Sequence, residues 1–142
     1  HWWSFIGSFT GMSALALLDY YELPTADSVL LIGSFGASSV LVFAAIQSPL
    51  AQPRNLLGGH VLSAILGVFI SDYLALPIWM AAALSVSGAI VLMQLTKTLH
   101  PPGGATALIA VTGSEAIQNL GWWYVVCPVF AGAVLLLLIA LF

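Results

Sequence analysis

Twenty consecutive residues from Pro77 to Thr96, PIWMAAALSVSGAIVLMQLT, carry no charge, and the stretch just before them, residues 56–74, is nearly as apolar. A helix needs about 20 such residues to cross the hydrocarbon of a bilayer. Two further stretches, 2–18 and 121–142, have the same character. Composition settles what surrounds them: 61% of the 142 residues are hydrophobic, 5% are charged, and the mean hydropathy is +1.11. A soluble domain carries about 25% charged residues, so two basic and five acidic side chains cannot coat a water-facing surface. An all-α membrane protein with four long transmembrane helices is expected. Aromatic belts at the stretch edges, Trp2, Trp3, Tyr20, Tyr21, Tyr73, Trp79, Trp122, Trp123 and Tyr124, suit the headgroup level. The net charge of −3 excludes nucleic acid as a partner, because no basic patch exists to neutralise phosphates. Cys127, the one cysteine, reads as a small apolar packer. The chain opens on His1 and runs apolar to Phe142, so a longer natural polypeptide is expected.

Two other apolar stretches are broken. One is residues 28–46, containing GSFGASSVL; the other, from 98 to about 113, begins TLHPPGGATALIAV. In each, a helix is expected to begin near the glycines and run for some ten residues, about 15 Å, or half a membrane. These two stretches align: Gly36-Ala37-Ser38 with Gly104-Ala105-Thr106, followed by Asn55-Leu56 with Asn119-Leu120 and Gly67 near Gly132. The shared order predicts a duplication, repeat 1 over about 1–75 and repeat 2 over about 76–142, within a single transmembrane domain. Each unit is helix, broken segment, helix. If the broken segments cross the bilayer, Arg54 and Lys97 lie on one side and Asp19, Glu22, Asp27, Asp72 and Glu115 on the other. Re-entry would put the two cations with four of the acids. The preference of cations for the cytoplasmic side favours crossing, and a three-crossing unit repeated once is inverted relative to its partner.

Backbone broken at membrane depth survives only where protein or water covers it. Pro101 and Pro102 lock their own φ and push His100 and Pro101 into extended geometry, and Gly103 and Gly104 bare the backbone where a helix begins. Free amides are expected around residues 103–106, at the positive end of the helix dipole. Such an end binds anions without a formal charge. Ser34, Gly36, Ala37, Ser38 and Ser39 offer a matching end in the other repeat. Inverted repeats would bring both ends to the midplane, where a small anion or a polar neutral molecule could bridge them.

The segments LHPPGGATAL, GSFGASSVL, SPLAQPRNLLGGH and LGWWY together resemble the HPP family of integral membrane proteins over nearly the whole chain. The family is named for the residues seen here as His100, Pro101 and Pro102. The resemblance implies four transmembrane helices, matching the four long stretches with the half-helices uncounted. It also implies nitrite as a candidate substrate, by association with cyanobacterial and chloroplast members. A bacterial inner membrane or plastid envelope follows as the expected location, with the Arg54 and Lys97 side cytoplasmic or stromal.

The substrate-binding residues expected from this reading are His100, Pro101, Pro102, Gly103, Gly104, Ala105, Thr106, Gly36, Ala37, Ser38 and Ser39. His100 is either a hydrogen-bond donor or proton carrier, since an imidazole titrates near pH 6.5, or a brace for a carbonyl freed by the break. Thr106 and Ser38 either line the path or bond back to helix carbonyls. Arg54, Asn55 and Lys97 either mark an entrance or anchor helix ends at the headgroups. His60 pairs with Asp72 only if packing joins them, and Asn55 and Asn119 read as caps of the helices that follow. The Gly7–Gly11 pair reads as helix packing. No metal-ligand spacing, cofactor motif or catalytic constellation is present, so no enzyme is expected. The expected function is transport or channelling of a small inorganic anion in a homo-oligomer. The alternatives are a pore for small neutral solutes and a structural subunit of a larger membrane complex.

Overall fold

A computed structural model describes residues 1–22 and 32–142. The first part of the broken stretch 28–46, expected to be extended, lies outside the described residues, as does Asp27. Among the described residues every regular element is helical: α1 (Trp2–Glu22), α2 (Gly33–Ala44), a short 3-10 turn (Pro49–Ala51), α3 (Pro53–Tyr73), α4 (Ile78–Thr96), α5 (Pro101–Thr112), the single turn α6 (Glu115–Gln118), a distorted segment Val125–Phe130 and α7 (Ala131–Leu141).

Prolines set several boundaries. Pro53 opens α3, Pro77 immediately precedes α4, and Pro101 and Pro102 occupy the first turn of α5, where a missing N–H costs no helical bond. α3 and α4 are long and apolar enough to cross a membrane. α1 has the length, with 21 residues, but Ser4, Ser8, Thr10, Ser13 and Asp19 dilute its hydropathy. The fourth expected span, 121–142, is not one helix. Pro128 cannot donate to the helical ladder, Cys127 adopts extended angles (φ −139, ψ 121), and the regular helix starts only at Ala131. The Cys127–Pro128 peptide is cis.

α3 is the centre of the bundle, packing on α4, α5, α7 and the distorted segment. Beyond that, α1 packs on α2 and α7, α4 on α5, and α2 on both α5 and α7. Small residues let α3 and α5 approach. A Cβ on Gly59 would lie 2.5 Å from that of His100, one on Gly103 2.8 Å from the Gly59 carbonyl, and one on Gly67 2.7 Å from the Ala107 carbonyl. Gly7 and Gly11 instead receive the Phe43 ring, joining the first half of α1 to the end of α2. Trp3, Leu138 and Phe142 line one groove at that end, and Arg54 there donates to the Thr96 carbonyl at 2.7 Å. At the opposite end Trp122 donates to the Tyr73 hydroxyl.

The surface is apolar: Trp2, Trp3, Leu95 and Trp79 are 81%, 84%, 76% and 68% exposed. The interior, alongside Leu15, Phe35, Leu56, Val129 and Leu136, holds Ser34, Ser38, Ser39, His60, Ser63, Ser85, His100 and Thr106. A water-facing protein distributes these groups the other way round.

Candidate functional site: a hydrogen-bonded chain between the short helices

α5 begins two residues before the glycines, so Pro101, expected to be extended, is its first helical residue, and only His100 is extended. Pro101 pushes the preceding residue out of the helical region, and His100 takes φ −140, ψ 103 as its N-cap. Two of the amides a helix start normally leaves free do not exist, because Pro101 and Pro102 have no N–H. The next, on Gly103, donates to the His100 carbonyl at 2.8 Å. The bare amide end expected at 103–106 is therefore absent; the prolines remove the donors whose partners burial would have to supply. Gly104 and Ala105 are half-buried, and a Cβ on Gly104 would meet only Val86, at 3.8 Å.

Side chains converge where the amides do not. His100 turns inward from the α5 start, and Gly59 makes room for it. Its Nδ1 lies 2.8 Å from the Leu50 carbonyl, and its Nε2 lies 2.9 Å from Ser38 Oγ on α2. The same Ser38 oxygen lies 2.7 Å from Nε2 of His60 on α3. The Nδ1 of His60 lies 2.7 Å from Thr106 Oγ1 on α5. All four side chains are fully buried. The imidazole centroids are 5.0 Å apart, and the Phe35 ring closes over His60 at 5.2 Å. Tyr124 donates to the Thr106 carbonyl at 3.0 Å, pinning the turn before the distorted segment onto α5.

The protons in this chain have one consistent arrangement. A carbonyl only accepts, so His100 Nδ1 donates to Leu50. The neutral ring then accepts at Nε2, which takes the Ser38 proton. Ser38, having given its one proton, accepts from His60 Nε2–H. That leaves His60 Nδ1 to accept from Thr106, whose longer contact to the Pro102 carbonyl, 3.4 Å, goes without a proton. Every donor points from α5 through α3 and α2 toward the 49–51 turn.

Beside this chain sit three buried hydroxyls with no hydrogen-bond partner among the described residues: Ser34, one turn before Ser38; Ser39, next to it; and Ser63, one turn after His60. Buried polar groups are paired in the great majority of cases, so these are uncommon. Among the described residues, no three His, Cys, Asp or Glu side chains gather as a metal site.

The remaining expected residues divide. Pro102 and Gly103 are buried against α3, whereas Pro101, Gly36 and Ala37 face outward. Arg54 and Asn55 cross to α4 and the linker after it: Asn55 donates to the Leu99 carbonyl at 2.8 Å. Asn55 is thus not a cap, because α3 has already begun at Pro53. Asn119 closes α6 rather than capping a following helix. His60 and Asp72 do not pair. They are twelve residues apart on one helix, about 18 Å, and Asp72 is exposed. Lys97 closes α4 in the left-handed region, φ 56, with Thr98 N–H bonded back to the Met93 carbonyl at 2.9 Å.

Comparison with known proteins agrees with the apolar surface. A family model described as the HPP transmembrane region matches residues 1–142. The chain belongs to the HPP transmembrane-region family. Among curated relatives of this HPP chain are two Dictyostelium discoideum proteins, each named only as a transmembrane protein. One is 49% identical over 142 residues, covering 98% of this chain and 50% of the relative; the other is 48% identical over 142 residues, covering 98% and 45%. The HPP chain therefore spans about half the length of these relatives. It is a membrane protein. No solved structure matches it.

Proposed function

We propose that this chain forms the membrane part of a transporter or channel for a small inorganic anion, carrying a solute rather than catalysing a reaction. Nitrite is the candidate that the family resemblance supplies. The observation that carries this reading is the buried chain Thr106–His60–Ser38–His100 at the meeting of two short helices. Ionisable groups inside a membrane bundle are costly and mark solute or proton pathways by default. The unpaired hydroxyls of Ser34, Ser39 and Ser63 supply further donors beside it. The solute meets side chains at the α2–α5 crossing, since α5 offers no free amide there.

Two inverted repeats frame this site in the same proposal, α1–α2–α3 and α4–α5–(kink)–α7. Exchanging α1 with α4, α2 with α5 and α3 with α7 maps each principal packing pair among these helices onto another such pair or, for α2–α5 and α3–α7, onto itself. Aligned residues also play matched parts. Gly67 receives α5 through Ala107, and Gly132 receives α2 through Phe35. Ser38 and Thr106 hold opposite nitrogens of the one His60 ring. Four long spans, the fourth kinked, then cross the bilayer together with the two half-helices. Arg54 and Lys97 face the cytoplasm or stroma, in a bacterial inner membrane or plastid envelope. Copies associate through the outward small face of α2, Gly33, Gly36, Ala37 and Ala44.

Purified chain in liposomes is expected to take up nitrite well above protein-free vesicles. Thr106→Val keeps the shape and removes one donor, and should slow uptake about tenfold, the worth of one hydrogen bond. Urea flux without anion flux would make the protein a neutral pore. Flux of neither, with copurification of a larger complex, would make it a structural subunit.

A further inference from the structure

A small anion brought to this site needs a counter-charge, because an unpaired ion in a low-dielectric interior is far too costly. Arg54 and Lys97 cannot supply it: both are exposed at the bundle end, and Arg54 is held by the Thr96 carbonyl. Among the described residues, the titratable groups that face the chain are few. α3 brings His60, the linker to α5 brings His100, and the segment after α6 brings Tyr124; α2 and the 49–51 turn bring none. Asp19, also buried, lies near the far end of α1. Cationic charge at the site has to come from an imidazole.

Each ring has one acceptor nitrogen, His100 Nε2 and His60 Nδ1. Only a proton on His100 Nε2 adds a donor at Ser38; one on His60 Nδ1 would point at Thr106 instead. In the neutral chain His100 Nε2 is an acceptor, filled by the Ser38 proton. A proton placed on that nitrogen turns it into a donor and displaces the Ser38 hydrogen, which can swing to the carbonyl four residues back, as helical serines do. Ser38 Oγ then lies at the focus of two N–H donors, from His60 at 2.7 Å and His100 at 2.9 Å. Before protonation only His60 donates there. One added proton thus converts a head-to-tail chain into a fork with a positive charge; Ser38 Oγ fills the focus of that fork, so an anion oxygen takes that place as the Ser38 side chain turns aside.

We infer that anion binding at this fork is coupled one to one to proton uptake at His100, so that transport is electroneutral proton–anion symport. This rests on the anion-transport reading above. The proton comes from water on the loading side, goes to His100 Nε2, and leaves with the anion on the other side, so no net charge crosses.

The test uses the wild-type chain in liposomes with nitrite as probe, protein-free vesicles giving the passive background. Uptake is measured from about pH 8 to about pH 6, a range spanning ordinary imidazole titration, with membrane potential clamped at opposite signs. Expected are uptake that rises as pH falls, approaching about tenfold per pH unit while His100 is mostly neutral, and no dependence on the sign of the potential. His100→Gln keeps a ring-free acceptor and should abolish the pH dependence. Nitrite uptake that follows the potential and ignores pH would overturn the coupling and leave anion transport standing. Absence of any anion flux would remove the transport reading and the coupling with it. Wild type decides the coupling even if a variant is unstable, and pH-dependent uptake that persists in folded His100→Gln would overturn the assignment of the proton to His100.

Discussion

Ser38 uses its hydroxyl twice, donating to one imidazole and accepting from another. Ser38→Ala therefore strands two groups at once, His100 Nε2 and His60 Nε2–H, at about 1–3 kcal/mol for each buried group left unpaired. Thermal unfolding in detergent should show a clear loss of stability, and Ser38→Thr, which keeps the hydroxyl, should recover most of it. Unchanged stability in the alanine variant would mean the chain is not formed. Lys97 presents the opposite case. Its left-handed backbone costs a non-glycine residue roughly 1–2 kcal/mol, a strain that glycine would not carry. Lys97→Gly should raise the unfolding midpoint by the equivalent of about 1 kcal/mol once glycine's larger unfolded-state entropy is subtracted; a lowered midpoint would show that the ammonium group matters to the fold. Of the site, His100, Ser38 and Thr106 are legible in the broken segments. The role of His60 is not, since its partners lie 22 and 46 positions away along the chain. Tyr124 reads in the sequence as one more interfacial ring.

At the scale of elements, the crossing of α3 and α5 rests on close backbone approach, and the two glycines after the proline pair have opposite tolerances. A methyl on Gly103 would press the Gly59 carbonyl and Ser63, whereas one on Gly104 finds ordinary contact with Val86. Gly103→Ala should lose on the order of 1–3 kcal/mol through overpacking, while Gly104→Ala should be neutral or slightly stabilising. Equal effects would put the helix faces in the wrong register. The two short helices are visible in the sequence because glycine and proline interrupt otherwise continuous apolar runs. The start of α5 falls earlier than the glycines suggest, because proline at a first helical position is itself a start signal. The break at Cys127–Pro128 is hidden by uniformly apolar flanks, since hydropathy does not register a missing donor.

For the whole molecule, the ends of the bundle predict sidedness. Gln52 sits beside the start of α3 and Glu115 opens α6 at the other end, and both are exposed. In a Cys127→Ser background, Gln52→Cys and Glu115→Cys should react with a membrane-impermeant thiol reagent from opposite sides of sealed vesicles. Reaction from one side would mean that α5 dips in and returns. Composition makes the lipid environment legible at once. How the helices pair is not, since contacts between segments dozens of residues apart leave only a faint trace in the order of small and polar residues.

The carbonyl that fixes the tautomer of His100, and through it every proton down to Thr106, belongs to Leu50, whose side chain takes no part. Swapping that leucine for valine or methionine leaves the acceptor in place, so a conventional mutational survey would score the position as unimportant. Only altering the path of the main chain there, for instance by lengthening the turn by one residue, would turn the whole relay around.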